Sequence, residues 1–357
     1  MSNRYMFFVG TLGNGGAERV ISILSGQMVK QGMDVEIVTY YDRPVFYQVD
    51  SRVKITAVEA CTKSNNKLKN LLWLRRYFKE NAKIVISFLA PFNMMAIAAN
   101  LGTKIPIIAA DRNDPTKVPT NQVLRRTRDF LYRFADGVAV QTKKNQEYFC
   151  KKVQKKSTVI YNPVDLGNYA GAALNCGKEK IFVTAGRLMP QKNQEMMIKA
   201  FADVVKKYSE YQLIIYGEGP SRESLEKLVK DLEMEKNILL PGNTKELHEK
   251  IKCAEGFLLS SDYEGMPNAL IEAMCMGLPC ISTKVSGATD LIVDHENGIL
   301  TEVNDQRVFA EAILEFIEDS QRKEMFAKEA VKLNEQLEVS GIMNQWISFI
   351  NKITAEK

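Results

Sequence analysis

The stretch "GFLLSSDYEGMPNALIEAMCMGLPCISTK" (Gly256–Lys284) contains two short apolar runs with a helix-like segment between them. The runs "GFLLSS" and "PCISTK" have the length and the flanking turn residues of buried strands. Pro267 suits the first turn of a helix, and Gly277 is a typical helix stop. A strand, a helix and a second strand in this order are typical of a parallel βαβ unit. The stretch therefore predicts an α/β fold.

The same alternation runs through the whole chain, which at 357 residues is too long for one ordinary hydrophobic core. Strand-like runs in the first half are "YMFFVG", "DVEIVTYY", "AKIVISFLA", "IPIIAAD", "DGVAVQT" and "STVIYNP". After the weakly patterned "DLGNYAGAALNCGKEK" the alternation restarts with "IFVTAGRL", "YQLIIYGEGP" and "NILLPGN". Two Rossmann-like parallel-sheet domains are therefore predicted, at residues 1–165 and 166–340. The amphipathic C-terminal helix, about 341–357, is expected to pack back on the first domain. Such sheets bind ligands outside the carboxyl ends of their strands, so a cleft between two facing domains is the expected site.

Charge and cysteine content limit the class of protein. Residues 1–165 carry a net charge of +13 and the remainder −8, which predicts an anionic partner for the first domain. The six cysteines form no C-x-x-C pair, and only two histidines are present, which argues against a zinc site. The N-terminus is a poor signal peptide and no apolar run is long enough to span a bilayer. We predict a cytoplasmic protein with reduced thiols.

Three strand-to-helix turns could contact a ligand. "GTLGNGGAE" fits neither the dinucleotide fingerprint nor the P-loop, and a plain tight turn explains it equally well. In "AGRLMPQKNQ", Arg187 and Lys192 follow a strand and precede a helix, so two cations and a helix N-terminus would suit a diphosphate. The alternative is that both are solvated surface charges. The two glycines of "YGEGP" would let a flat ligand lie close to the backbone, which is a weak signal alone.

Two carboxylates lie in the opening stretch. Glu272 falls within an apolar helix with no basic residue nearby in sequence, and Glu264 precedes that helix in a loop. A buried ionised carboxylate is costly unless it is well paired, and sugar hydroxyls are natural donors to it. The two carboxylates could therefore contact two parts of one ligand. The alternative is a core glutamate satisfied by neighbouring backbone or by an arginine.

The ordered set E-G-x-P-x-x-x-x-E-A, A-G-R-L-x-x-x-K-N and G-x-G-P resembles the family-4 retaining glycosyltransferases of the GT-B fold, as do "GGAER" and "VSGATDLIVDHENGIL". The resemblance covers nearly the whole chain. It implies that Arg187 and Lys192 hold the nucleotide diphosphate, that Glu264 lies by the transferred sugar and that Glu272 binds the ribose hydroxyls. Donor-binding positions implied in the same way are Gly15, Gly16, Gly217, Gly219, Asn243, Gly265, Met266, Pro267 and Asn268.

One position departs from that family. Many members have a histidine in the loop after the strand that here is "IPIIAAD", and this chain has Arg112 there. The acceptor-side contact could therefore fall to Asp111, Arg112 or Asn113.

The resemblance implies a retaining enzyme that moves a sugar from a nucleotide-diphosphate sugar, most simply a UDP-sugar, to a glycan acceptor. No D-x-D motif is present, so we expect neither a bound metal nor another cofactor. Retention would come from front-face attack, with the donor phosphate accepting the acceptor's proton. Two alternatives remain open. One is a UDP-sugar epimerase of the same fold, and the other is a non-catalytic regulatory protein that binds nucleotide sugars.

Two basic segments with interleaved apolar residues predict contact with an anionic membrane. They are "KLKNLLWLRRYFKENAK" (Lys67–Lys83) and "QVLRRTRDFLYRF" (Gln122–Phe134). The alternative is that their apolar faces pack into the first domain. With the resemblance, a membrane contact would favour a lipid-linked acceptor in bacterial polysaccharide or glycoprotein synthesis, and peripheral binding at the inner face of the cell membrane. The residues expected at the membrane are Trp73, Arg75, Arg76, Arg125 and Arg126.

Overall fold

A computed structural model describes residues 3–13 and 15–355. It divides the chain into two compact units. The first comprises Met1–Pro163 together with Val339–Lys357, and the second comprises Val164–Glu338. Each unit is built around its own parallel sheet, with helices packed against it.

The N-terminal unit has a seven-stranded sheet in the order β3-β2-β1-β4-β5-β6-β7, in which every neighbouring pair is parallel. Its inner strands β1, β2 and β4 are buried except for Tyr5 at the start of β1, which is why they read as continuous apolar runs without alternation. The strands are β1 (Tyr5–Val9), β2 (Val35–Thr39), β3 (Lys54–Ala57), β4 (Ile84–Phe88), β5 (Ile107–Ala110), β6 (Gly137–Val140) and β7 (Ser157–Val159). The helices are α1 (Gly16–Lys30), α2 (Val58–Thr62), α3 (Lys67–Asn81), α4 (Ala90–Asn100), α5 (Gln122–Leu131), α6 (Lys143–Tyr148) and α7 (Lys151–Gln154).

The C-terminal unit has a six-stranded parallel sheet in the order β10-β9-β8-β11-β12-β13. Its strands are β8 (Glu179–Ala185), β9 (Gln212–Tyr216), β10 (Ile238–Gly242), β11 (Ala254–Leu259), β12 (Cys280–Thr283) and β13 (Ile299–Thr301). Its helices are α8 (Gln194–Lys207), α9 (Arg222–Asp231), α10 (Leu247–Ile251), α11 (Asn268–Met276), α12 (Ser286–Leu291), α13 (Gln306–Glu318), α14 (Ser320–Ala330) and α15 (Leu333–Leu337). The predicted fold class, two Rossmann-like parallel-sheet domains, is confirmed.

The last helix, α16 (Val339–Ala355), belongs to the N-terminal unit. Its apolar face joins the core around β1 and β4, where Trp346 stacks on Phe88 with ring centroids 5.9 Å apart. The chain therefore leaves the first unit after β7 and returns to it only at its C-terminal end.

The strand orders place one switch point in each sheet, where the direction of strand progression reverses. It lies between β1 and β4 in the N-terminal unit and between β8 and β11 in the C-terminal unit. Ligands of doubly wound sheets bind outside the carboxyl ends of the strands at this position, because the connections there diverge to opposite faces. The loops that follow β8 and β11 contain Arg187, Lys192 and Glu264.

The structure corrects the prediction of six reduced thiols. Cys176 and Cys253 form a disulfide within the C-terminal unit, and the remaining four cysteines are free. Among the described residues no helix is both long enough and apolar enough to cross a membrane.

Candidate functional site

Glu272 has a basic partner that its neighbours in sequence do not supply. It lies in the buried helix α11, and its Oε2 is 2.8 Å from Nε2 of His248 in α10. The His248 ring lies in turn against Tyr169, with ring centroids 5.4 Å apart. Sequence reasoning missed His248, because the two residues are 24 positions apart and only the packing of α10 beside α11 joins them.

The second carboxylate, Glu264, forms an ion pair with Lys192. Lys192 Nζ lies 2.5 Å from Glu264 Oε1, and the same oxygen accepts a hydrogen bond of 2.8 Å from Ser261 Oγ. Both side chains of the ion pair are largely buried, at 22% and 10% exposure. Within the described residues Glu264 Oε2 makes no hydrogen bond. The structure therefore brings two of the predicted catalytic residues into direct contact and leaves one carboxylate oxygen available.

Further hydrogen bonds fasten the loop after β8 to the loop after β11. The Gln191 carbonyl accepts from the Asp262 backbone N–H at 2.9 Å, and Gln191 Nε2 donates to the Tyr263 carbonyl at 2.7 Å. Asn193, in the left-handed conformation with φ 46°, donates from Nδ2 to Asp262 Oδ1 and caps α8 with its own side-chain oxygen. These contacts fix the position of the Lys192–Glu264 pair against the ends of two adjacent strands.

Arg187 lies in the same loop but points outward. Its side chain is exposed and has no hydrogen-bond or ion-pair partner within the described residues. Its carbonyl accepts from Gln194 Nε2 at 3.2 Å, which ties the loop to the start of α8. Of the two predicted diphosphate cations, one is thus held by a carboxylate and the other is open to a ligand.

The glycines of the turn after β9 pack against the turn that carries Arg187. A Cβ on Gly217, whose φ is +147°, would lie 1.9 Å from the carbonyl oxygen of Gly186. A Cβ on Gly219 would lie 2.1 Å from that of Leu188. The sequence suggested that these glycines let a ligand lie close to the backbone. In the structure their lack of a side chain is already required for the packing of one turn against the other. The predicted Asn243 is exposed and directly follows β10.

The loop before α11 has a second close neighbour, which sequence reasoning did not single out. Gly287 lies near the start of α12, and a Cβ there would come within 2.5 Å of the Gly265 carbonyl oxygen and 2.6 Å of Pro267 Cδ. Gly265, Met266 and Pro267 are buried, whereas Asn268 is half-buried at the first position of α11. Gly287 belongs to the stretch "VSGATDLIVDHENGIL", which contributed to the family resemblance without a role for this glycine, and that stretch was the signal that could have found it.

In the N-terminal unit the glycine loop after β1 leads into α1. Gly15 is the N-cap residue with extended backbone, and Gly16 is exposed at the first helical position. The Glu18 carboxylate folds back over Gly15, 2.2 Å from where a Cβ would stand, and burial raises its pKa. The N-terminus of α1, which the sequence suggested as a phosphate site, therefore already has the carboxylate of Glu18 beside it. Asn14 of this loop lies outside the described residues.

Of the three predicted acceptor-side residues, each has a different environment. The buried Asp111 accepts a hydrogen bond from Tyr132 Oη at 2.9 Å and lies 3.8 Å from Arg128 Nη1. Burial raises the pKa of Asp111, and Arg128 opposes that change. Asn113 is half-buried and its backbone N–H faces Asp111 Oδ1 at 3.4 Å. Arg112 is buried between two aromatic rings.

The five residues predicted at a membrane surface differ in the contacts that their side chains make within the protein. Trp73 stacks on Tyr77 at 4.4 Å. Arg75 donates to the carbonyls of Ala99 and Leu101 at the end of α4, and Arg76 pairs with Glu80 at 2.8 Å. In α5, Arg125 donates to the Thr116 carbonyl and Arg126 is exposed. The side chains of α3 are therefore more engaged in contacts within the protein than those of α5.

Two protein families match adjacent parts of the chain. The profile described as "Glycosyltransferase Family 4" matches residues 14–168, and the one described as "Glycosyl transferases group 1" matches residues 172–333.

One relative and one solved structure cover almost the whole chain, and a second relative covers about half of it. A GalNAc-α-(1→4)-GalNAc-α-(1→3)-diNAcBac-PP-undecaprenol α-1,4-N-acetyl-D-galactosaminyltransferase of Campylobacter jejuni is 29% identical, over 97% of this chain and 98% of its own length. A UDP-Gal:α-D-GlcNAc-diphosphoundecaprenol α-1,3-galactosyltransferase of Escherichia coli is 35% identical over 46% of either chain. The solved structure of Anabaena HepE with UDP has a TM-score of 0.81 at 17% identity, and covers 98% of this chain and all of its own.

Proposed function

Since the chain belongs to the family-4 glycosyltransferases of the GT-B fold, we propose that it transfers a sugar from a UDP-sugar to a diphosphate-linked polyprenyl glycan, with retention of anomeric configuration. The observation that carries this proposal is the ion pair between Lys192 and Glu264 at the ends of two strands. It brings together the cation that we assign to the diphosphate and the carboxylate that we assign to the transferred sugar.

The C-terminal unit supplies the residues for the donor. Glu272 accepts hydrogen bonds from the ribose hydroxyls, and His248 at 2.8 Å holds the carboxylate in place for them. The exposed guanidinium of Arg187 and the ammonium of Lys192 neutralise the diphosphate. Glu264 Oε2, which has no partner among the described residues, accepts a hydrogen bond from a hydroxyl of the transferred sugar.

The chemical step then needs little covalent help from the protein. The bond between the anomeric carbon and the donor phosphate oxygen breaks, and negative charge collects on the diphosphate. Arg187 and Lys192 stabilise this charge more strongly in the transition state than in the ground state, which is the condition for a higher turnover. The acceptor hydroxyl attacks on the same face, and its proton passes to a phosphate oxygen of the departing diphosphate. The products are the extended glycan and the nucleoside diphosphate.

The proposed acceptor follows from the names of two relatives. Both act on glycans linked through a diphosphate to undecaprenol, and both names specify α-linked products. An α-product from an α-linked nucleotide sugar is retention, which supports the mechanism. The E. coli name specifies UDP-Gal as donor, and HepE was solved with UDP, which supports a UDP-sugar over a GDP-sugar.

Such an acceptor lies in a membrane, and α5 is the element of this chain best suited to meet one. Val123 and Phe130 of α5 and Phe134 in the 3-10 turn directly after it are 70%, 55% and 49% exposed. Arg126 of α5 and Arg133 of the turn are exposed as well. Exposed aromatics beside cations suit the interface of an anionic bilayer. We expect anionic vesicles at low salt to bind the protein, and an Arg126→Glu/Arg133→Glu double variant to lose that binding. Arg307→Glu, at an exposed position of the other unit, is the matched control. Equal sedimentation of all three proteins would remove α5 from the proposal.

The function is tested by combining the protein with UDP-sugars and an undecaprenyl-diphosphate-linked glycan. UDP release that depends on the acceptor, with an α-linked product by NMR, is expected. Acceptor-independent conversion to a different UDP-sugar would show an epimerase instead, and thermal stabilisation by UDP-sugars without turnover would show a binding protein. Lys192→Met should lower turnover by roughly two to three orders of magnitude. Lys180→Met, which removes an exposed ion pair, should not.

A further inference from the structure

Arg112 occupies an unusual position for a cation. It follows β5 at the carboxyl end of the sheet and is only 7% exposed. Its guanidinium carbon lies 5.3 Å from the centre of the Phe88 ring and 5.2 Å from that of Trp346. The rings belong to β4 and α16, so two elements far apart in sequence enclose one charged group.

The hydrogen bonds of Arg112 leave one edge of the guanidinium unused. Nη1 donates to the Ile160 carbonyl at 2.9 Å. Nε and Nη2 are buried and have no hydrogen-bond partner within the described residues. These two N–H groups are parallel and lie side by side, and this edge of arginine grips two oxygens of a phosphate or carboxylate at once. Ring stacking accounts for the place of the guanidinium carbon but leaves this edge unsatisfied.

Among the described residues no carboxylate forms a hydrogen bond or an ion pair with Arg112. Its neighbour Asp111 is hydrogen-bonded to Tyr132 and faces Arg128. Burial lowers the pKa of Arg112 to about 9, and the attraction of Asp111 only partly opposes this. The indole Nε1 of Trp346 is a further buried donor with no partner among the described residues. The guanidinium edge of Arg112 thus has two unused donors on a buried cation, and an oxyanion would satisfy both.

We propose that Arg112 binds a phosphate oxyanion through its Nε and Nη2 edge, next to the ring of Trp346. The charge of the site selects an anion, and the fork geometry selects a group with two adjacent oxygens. Two sources share this chemistry, the diphosphate of a prenyl-linked acceptor and the diphosphate of the donor. Resting on the function proposed above, we assign it to the acceptor, because Arg187 and Lys192 of the other unit already serve the donor.

Trp346 provides a direct signal for the test. The chain has two tryptophans, so in a Trp73→Phe background the emission comes from Trp346 alone. The full-length protein is titrated with inorganic pyrophosphate, geranyl diphosphate, geraniol and UDP. Saturable changes with pyrophosphate and geranyl diphosphate, and none with geraniol, are expected.

Substitutions assign the signal to the fork. Arg112→Lys keeps the charge and loses the paired donors, and should weaken pyrophosphate binding by about tenfold or more. Arg112→Met should abolish the emission change. Arg126→Met, an exposed arginine of the same unit, and Arg187→Ala, in the other unit, should leave it intact. Circular dichroism and urea unfolding confirm that each variant is folded. A folded Arg112→Lys protein with unchanged affinity, or no response of the parent protein to either diphosphate, would overturn the proposal.

The titration with UDP distinguishes the acceptor diphosphate from the donor diphosphate as the group that Arg112 binds. No Arg112-dependent response to UDP supports the acceptor assignment, whereas a response that Arg112→Lys weakens would overturn that assignment in favour of the donor. The result is independent of turnover. A protein that binds pyrophosphate through Arg112 but transfers no sugar would refute the proposed function and leave this site standing. An active enzyme whose Trp346 emission does not change with diphosphates would refute the Arg112 site and leave the proposed function standing.

Discussion

Gly219→Ala tests whether the turn after β9 sets the geometry of the site. In the structure a Cβ at this position would lie 2.1 Å from the Leu188 carbonyl oxygen and 2.8 Å from the Leu188 amide nitrogen. The backbone of Gly219 is not in the left-handed region, so the alanine is opposed by contact alone. Ordinary contact begins at 3.4 Å, and the two turns must therefore separate by about 1.3 Å.

That separation has a cost in stability that can be worked out from the contacts. It stretches two backbone hydrogen bonds, from Leu188 N–H to the Glu218 carbonyl at 3.0 Å and from Ser221 N–H to the Leu188 carbonyl at 3.1 Å. Each is worth about 1 kcal/mol, and forced repacking adds about 1 kcal/mol more, so a loss of about 2–3 kcal/mol is expected. For a unit of this size, that lowers the melting temperature of the C-terminal unit by roughly 5–10 °C.

The same displacement moves Arg187, which precedes Leu188. A shift of about 1 Å in a positioned group can cost on the order of a hundredfold in rate, so kcat should fall by about that factor. Urea unfolding and steady-state UDP release measure the two effects. Gly177→Ala is the matched control, since nothing lies within 4 Å of a Cβ there. A Gly219→Ala protein with the stability and kcat of the control would refute this account of the turn.

Three further outcomes are expected. Glu272→Gln should raise KM for the donor by roughly ten- to a hundredfold with a smaller change in kcat, because ribose contacts are made in the ground state and the transition state alike. Glu264→Gln should mainly lower kcat. The opposite pattern in steady-state kinetics would show that the roles of the two glutamates are exchanged. Turnover should survive EDTA, since the proposed neutralisation of the leaving group relies on side-chain cations; loss restored by Mg²⁺ or Mn²⁺ would contradict this. Iodoacetamide should modify the exposed Cys150 below pH 9, because the backbone N–H of Val153 lowers the pKa of its thiol and thereby increases the fraction of reactive thiolate. The buried Cys275 should not react, because burial and, to a smaller extent, Glu272 raise the pKa of its thiol to about 12. Mass spectrometry of the native protein checks the last point, and labelling of Cys275 at the same rate would refute it.

Most strands that the sequence predicted are largely buried, and a continuous apolar run is the physical requirement for such a central parallel strand. The edge strands β7 and β10 were predicted as well, although their burial is only partial. The two that it missed, β3 and β13, are short edge strands at the end of their sheets. In β3, "KITA", two of four residues are exposed, so the apolar signal is diluted. An edge strand is paired on one side only and needs less hydrophobic sequence to form.

The candidate site also has a part that the sequence predicted and a part that it could not predict. By itself the sequence identified the residue types that a diphosphate and sugar hydroxyls require, and their order along the chain matched one family. It determined the fold class for the same reason, since periodicity and turn residues are local properties that survive without coordinates. Local patterns could not show that Lys192 would pair with Glu264, because 72 residues separate them.

Only the tertiary structure decided which groups are satisfied within the chain and which are left open. It gave Glu272 a partner in His248, gave Asp111 one in Tyr132, and left the Nε and Nη2 edge of Arg112 unused between two rings. Burial and hydrogen-bond partners depend on elements that pack together from distant parts of the chain. A charge in a sequence therefore indicates a candidate, and its neighbours in space determine whether it is free to bind a ligand.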